Sequence, residues 1–298
     1  MRYGIHAMVW AGGWSDAEAE RAIASAARIG YDVLEIPVMN PDDFDAIRTR
    51  ALLDKHNIKG AASLGLAPDA DISSAAGATV RRGAACLSKA LAHCATFGGD
   101  YLGGVIYSAL TKYGAAPTGK GRANAVAVIR DLAREAQALG VNLGLEAVNR
   151  YESNLLNTGA QVLRFVDEVG EANVYVHLDT FHMNVEEADP VGAIELCRDR
   201  LGYFHVNENH RGYLGTGTIA FASAFRALAR IGYDKTIAFE AFSSSAAGGT
   251  LAGMVAAWRD IWSDGDDIGE HALAFMKNEW AQAKRSWELT SLGREQRR

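Results

Sequence analysis

The 298 residues, 49% of them hydrophobic and 22% charged, suffice to bury a large core without disulfide or metal staples. A net charge of -6 argues against a nucleic-acid partner, which usually demands a basic excess. Cys86, Cys94 and Cys197 are too few and scattered for a disulfide framework, no stretch of about 18 apolar residues offers a membrane span, and MRYGIHAMVW lacks a secretory apolar core, so a cytoplasmic protein with no membrane contact is expected.

In chain order, short apolar segments alternate with helical ones. Strands are predicted at 3–9, 32–38, 59–65, 101–107, 142–148, 174–180, 202–207 and 236–242. Between them, apolar residues recur at three- and four-residue spacing over 17–29, 41–56, 83–97, 122–139, 158–169, 190–200 and 222–231. The hexapeptide ARIGYD occurs twice, at 27–32 and 229–234, each time followed by a short apolar strand ending in Glu. Looser copies, ATFGGDYLGGVIY and ALGVNLGLEAV, stand at 95–107 and 138–148. Each copy reads as a helix end, a glycine able to take the left-handed cap, and a buried strand. Eight such units predict a single (β/α)8 TIM barrel over 1–287, with extra C-terminal helices and a polar tail at 288–298. The alternative is an open doubly wound sheet. It would more often carry a glycine-rich dinucleotide loop after the first strand, and AGGWSD is not one; Gly103 and Gly104, placed inside a strand, lack phosphate-loop spacing.

A barrel of this kind builds its site at the C-terminal strand ends. Glu146, Asp179, His205 and Glu240 fall there on four consecutive strands. Three carboxylates and an imidazole are costly to bury together without a cation. Mostly oxygen donors with one nitrogen suit Mn²⁺, Co²⁺ or Mg²⁺, and no cysteine is placed to compete. Trp14, in the loop after the first strand, is placed at the rim, where it would cover a ligand.

Other polar and aromatic residues have plainer readings. His93 and Cys94 read as a packed helix face, His177 as a hydrogen-bonded core histidine and His210 as solvent-facing. Trp258 with Trp262, and Trp280 with Trp287, read as helical pairs in the core or at a subunit interface.

The segment HLDTFHMNVEE at 177–187 resembles a motif of the ketose 3-epimerases, xylose-isomerase-like barrels that act on sugars such as D-tagatose, D-psicose and L-ribulose. GLEAVNRYESNLLNT at 144–158, FHVNENHRGYLGTGTIAF at 204–221 and FEAF at 239–242 are similar to that family's fifth, seventh and eighth strands. The resemblance implies one Mn²⁺ or Co²⁺ held by Glu146, Asp179, His205 and Glu240, the same four residues, with no organic cofactor. It implies sugar contacts from Glu152, His182 and Arg211, with Gly65 and Tyr107 at strand ends completing the sugar-binding set. Two departures bear on the distal end of the sugar: His6 stands where relatives often have Tyr or Phe, and YSALTKY at 107–113 lacks a Trp that several relatives carry.

The implied chemistry is inversion at C3 of a free ketose through an enediolate, with Glu146 and Glu240 as acid and base on opposite faces. A phosphorylated substrate is less expected, since no Lys/Arg cluster follows strands seven and eight. The family also implies a homodimer or homotetramer. The alternatives are an aldose–ketose isomerase on the same barrel and an endonuclease IV-like DNA-repair enzyme; the acidic balance and the single four-ligand set count against the second.

Overall fold

One glycine after each repeated helix turns the chain back into the sheet. Gly30, Gly98, Gly140 and Gly232 have φ of +99°, +83°, +71° and +69°, the left-handed region in which a side chain is strained. These are the glycines of ARIGYD and its looser copies. The computed structural model describes residues 1–295. Its strands are β1 (Arg2–His6), β2 (Val33–Pro37), β3 (Lys59–Ser63), β4 (Tyr101–Gly103), β5 (Asn142–Glu146), β6 (Val174–Asp179), β7 (Leu201–Val206) and β8 (Thr236–Phe239). The helices are α1 (Asp16–Ile29), α2 (Ala46–His56), α3 (Gly77–Thr96), α4 (Gly119–Ala138), α5 (Gly159–Val169), α6 (Thr180–Glu186), α7 (Pro190–Cys197), α8 (Phe221–Arg230), α9 (Ser244–Met254) and α10 (Gly265–Glu295). The strands pair in parallel in sequence order, and β1 meets β8 to close the barrel.

Side-chain alternation sorts each strand into two layers. Outward residues such as Ile5, Leu34, Phe204 and Phe239 join the helices in one continuous core. Inward residues Val33, Ala61, Tyr101, Tyr203 and Ala238 form a separate floor inside the barrel. The rings of Tyr101 and Tyr203 stack there at 4.5 Å. Gly144 makes room for them, because a Cβ at that position would lie 1.5 Å from the Tyr101 hydroxyl. Above this floor, the next inward residues are the polar ones at the strand ends.

Strands stop one to four residues before the apolar runs do. After His6 the chain makes a 3₁₀ turn, and after Gly103 the left-handed Gly104, at φ +97°, carries it out of the sheet rather than along it. The residues beyond stay apolar because loops bury them, so hydropathy alone extends the strand. The stretch 41–56 is divided, because the Asp45 carboxylate accepts the Arg48 N–H and starts α2 afresh. The unexpected α6 begins where Asp179 caps it, accepting the Phe181 N–H at 2.7 Å.

The C-terminal segments cover the barrel. α10 packs on α1 and α8 and carries Trp280 and Trp287, both half-buried. Trp258 and Trp262 do not form a helical pair: α9 ends at Met254, and the irregular chain that follows leaves Trp258 74% exposed and Trp262 5% exposed. α10 continues through 288–295, where a polar tail was expected, and 296–298 lie outside the described residues. Among the described residues no helix is long and apolar enough to cross a membrane.

Gly104→Ala should destabilise the fold by about 1–3 kcal/mol, since it combines positive φ with a Cβ 2.7 Å from the Leu64 carbonyl oxygen. Gly119→Ala, with nothing within 4 Å, should stay within about 0.5 kcal/mol of wild type in the same urea titration.

Candidate metal and sugar site

Glu146 ends β5, Asp179 ends β6, His205 lies in β7 and Glu240 is the first residue beyond β8. The β6–β7 register sets Asp179 beside His205. One ligand atom from each of the four lies within 4.8 Å of the others, and all four residues are buried. His205 Nδ1 faces Glu146 Oε1 at 3.4 Å, Asp179 Oδ2 at 3.8 Å and Glu240 Oε2 at 3.8 Å.

The charge balance of this cluster is specific. Burial opposes the charge on Asp179, but Arg211 and His182 outweigh it and hold its carboxyl well below the usual range. Burial is the main reason Glu146 sits above the ordinary carboxylate value; His205 works against that and the Glu240 charge adds to it. Burial works against a charged His205, yet Glu35 and Glu240 draw its pKa well above that of a free imidazole. Its Nε2 bonds Glu35 Oε2 at 2.8 Å, whereas its buried Nδ1 has no hydrogen-bond partner among the described residues. A lone imidazole nitrogen aimed at three carboxylate oxygens fits a divalent cation, and this O₃N donor set suits Mn²⁺, Co²⁺ or Mg²⁺. Asn207, absent from the sequence reading, donates to Asp179 Oδ2 at 2.8 Å and orients that oxygen.

Arg211 lies on the same cluster, donating to Glu240 Oε2 at 2.6 Å and Asp179 Oδ2 at 3.3 Å. Its guanidinium is held over the rings of Phe181, 3.8 Å away, and Phe242, 4.9 Å away. Its φ is +63°, an unusual backbone for a non-glycine residue. The loop tolerates this because the buried Glu208 carboxylate accepts the N–H groups of Asn209, Gly215, Thr218 and Ile219 at 3.0–3.2 Å. His182 Nδ1 accepts the Asn149 backbone N–H at 3.1 Å, so its proton is on Nε2, which points toward Glu146, Asp179 and Glu152. Asn149 also donates to Glu152 Oε1 at 2.7 Å. It thereby positions both side chains, a role visible only once the β5 loop is folded.

The cavity over the cluster is lined by Glu146, Glu152, His182, Arg211 and Glu240 together with His6, Glu35, Ser63, Gly65, Leu110, Phe242 and Met254. His6 and Gly65, expected at the sugar, line this cavity. Two other residues expected there do not. Tyr107 points behind β5, where its hydroxyl donates to the Glu146 carbonyl at 2.7 Å and its ring approaches Phe165 in the outer core. Trp14 stacks on Phe44 and donates to Thr49 Oγ1 at 3.0 Å, lining a neighbouring groove instead. Both lie past a strand end, where alternation no longer predicts facing. His177 is buried, but with no hydrogen-bond partner among the described residues; the rings of Tyr101, Tyr203 and His205 hold it, and burial keeps its pKa well below the ordinary value. His210 is half-buried beside Thr216, while His93 and Cys94 pack as expected.

The model of the xylose isomerase-like TIM barrel family matches residues 23–278. The L-ribulose 3-epimerase of Methylomonas sp. is 46% identical over 94% of this chain and 98% of its own. The chain belongs to the ketose 3-epimerases. It is therefore an isomerase-class enzyme, as the resemblance of its motifs implied. The ketose 3-epimerase of Arthrobacter globiformis is 42% identical over 95% of this chain and 98% of its own. A crystal structure of D-allulose 3-epimerase from Methylomonas sp. in complex with D-allulose superposes with a TM-score of 0.92 at 46% identity, covering 94% of this chain and 97% of the other.

Adding Mn²⁺ to the metal-free epimerase should raise its thermal midpoint, by about 2.7 kcal/mol of stabilisation at a hundredfold excess over the dissociation constant; an unchanged midpoint in calorimetry contradicts the four-residue site. Glu208→Ala strands four loop N–H groups and should cost about 2–4 kcal/mol, with a rise in KM as Arg211 loses its anchor, read by urea titration and sugar kinetics.

Proposed function

We propose that this chain is a divalent-metal-dependent epimerase that inverts C3 of free ketoses, with L-ribulose and D-allulose (D-psicose) the first candidates. The observation that carries this is the pair Glu146 and Glu240, converging with Asp179 and His205 beneath Arg211 and His182. The names of the relatives point the same way: L-ribulose 3-epimerases at 46% and 40% identity, and D-psicose 3-epimerases at 31–32%.

Inversion at C3 needs a proton removed beside the C2 carbonyl and another returned to the opposite face. Glu146 and Glu240, from strands five and eight, take these two roles, one as base and the other as acid. The Arg211 guanidinium and the His182 Nε2–H are donors for the carbonyl oxygen as it gains charge. Glu152, held by Asn149, accepts a hydroxyl from the C1–C2 end of the sugar. Mn²⁺ or Co²⁺, held by Glu146, Asp179, His205 and Glu240, supplies Lewis-acid stabilisation of that charge when bound. No organic cofactor enters a proton exchange of this kind. Among the described residues Arg211 is the one Lys or Arg in the cavity lining, and it is already paired with Glu240 and Asp179, in keeping with an unphosphorylated sugar.

The reading includes a cytoplasmic location, consistent with three unpaired cysteines, and a homodimer or homotetramer, for which exposed Trp258 offers an apolar contact. Light scattering measures the assembly.

Incubation of L-ribulose or D-allulose with Mn²⁺-loaded enzyme in D₂O should place deuterium at C3; label at C1 instead identifies an aldose–ketose isomerase. Glu146→Gln and Glu240→Gln should each lower kcat by at least about a thousandfold while the sugar still binds. Wild-type turnover in either variant refutes the two-base assignment.

A further inference from the structure

One deeply buried carboxylate beside the site is not among the four residues that would hold the cation. Glu35, on β2, is 2% exposed and contacts neither Glu146 nor Glu240 through a hydrogen bond. We propose that Glu35 is the positioning residue of the metal centre, fixing through His205 which imidazole nitrogen faces the cation. The proposal rests on the four-ligand reading above.

Glu35 Oε2 lies 2.8 Å from His205 Nε2. A carboxylate oxygen at that distance is the acceptor and the imidazole N–H the donor. Nε2 therefore carries the proton, and in the neutral ring the lone pair is on Nδ1. Nδ1 is the atom that faces Glu146, Asp179 and Glu240. The opposite tautomer would set an N–H at the cation position and leave Glu35 facing a lone pair.

Glu35 is itself framed from neighbouring strands. His6 Nδ1, on β1, accepts the Met8 N–H at 3.2 Å, so the His6 proton is on Nε2. That nitrogen lies 3.0 Å from Ser63 Oγ on β3 and 3.6 Å from Glu35 Oε1. His6 thus sets its Nε2 against Ser63 Oγ and beside the free oxygen of Glu35. Residues of four strands line the Glu35–His205 contact. A buried ion pair is a poor way merely to hold a barrel together, since apolar residues of equal volume do so at least as well. Partners of this type typically change metal affinity by about 10- to 100-fold.

The test is a calorimetric titration of the metal-free protein with Mn²⁺, together with the visible absorption of the Co²⁺-loaded form. Glu35→Gln, isosteric and uncharged, should weaken Mn²⁺ binding by about tenfold and shift the Co²⁺ bands; Glu35→Leu should weaken it by up to about a hundredfold. The Gln variant decides the matter if the Leu variant does not fold. A Gln variant with Mn²⁺ affinity within about twofold of wild type and an unaltered Co²⁺ spectrum overturns the proposal, even if its metal-free thermal midpoint falls. Wild-type protein that binds neither ion overturns the four-ligand reading itself, and the proposal with it.

Discussion

Mutual repulsion among buried carboxylates at one end of the barrel is the constraint around which the site is arranged. Glu146, Asp179 and Glu240 crowd into a space under 5 Å across, with Glu35 behind His205 and Glu152 beside His182. Exposed charges would separate; these are fixed because each sits on or next to a strand whose register the closed barrel dictates. The buried groups that answer the charge are correspondingly specific: Arg211, the His205 ring, and the Asn207 amide on Asp179 Oδ2. A divalent cation, as proposed above, would neutralise the rest of that charge.

Much of the polar architecture serves to aim donors at this charge. Arg211 is presented from a left-handed backbone position, stacked between two aromatic rings, on a loop wound around the Glu208 carboxylate. His182 is fixed in one tautomer by a backbone N–H, and Asn149 couples it to Glu152. The polar groups of the cavity are thus held in place by hydrogen bonds, and Leu110, Phe242 and Met254 supply apolar lining beside them.

What was legible in the chain came from periodicity and punctuation. ARIGYD and its weaker copies exposed the βα unit, since a glycine forced into positive φ between an amphipathic helix and an apolar strand leaves the same local pattern each time. Glu146, Asp179, His205 and Glu240 were recognisable because a charged residue closing a strand buried on both faces is chemically out of place. Trp14 and Tyr107 were misplaced for the complementary reason. Beyond the last ladder hydrogen bond the chain no longer alternates, and Gly104 diverts it, so position along an apolar run says nothing about facing.

Length and charge bounded the protein, and local pattern alone determined an eight-unit barrel and the four strand-end residues that cluster at its mouth. Only the tertiary structure decided how those residues are supported. Glu35 meets His205 across 170 positions of sequence, Asn207 meets Asp179 across 28, and Asn149 reaches His182 across 33. No local period encodes such pairings. They arise because closing the barrel brings β2 within reach of β7, and because a hydrogen bond depends on distance and direction in space rather than on separation along the chain.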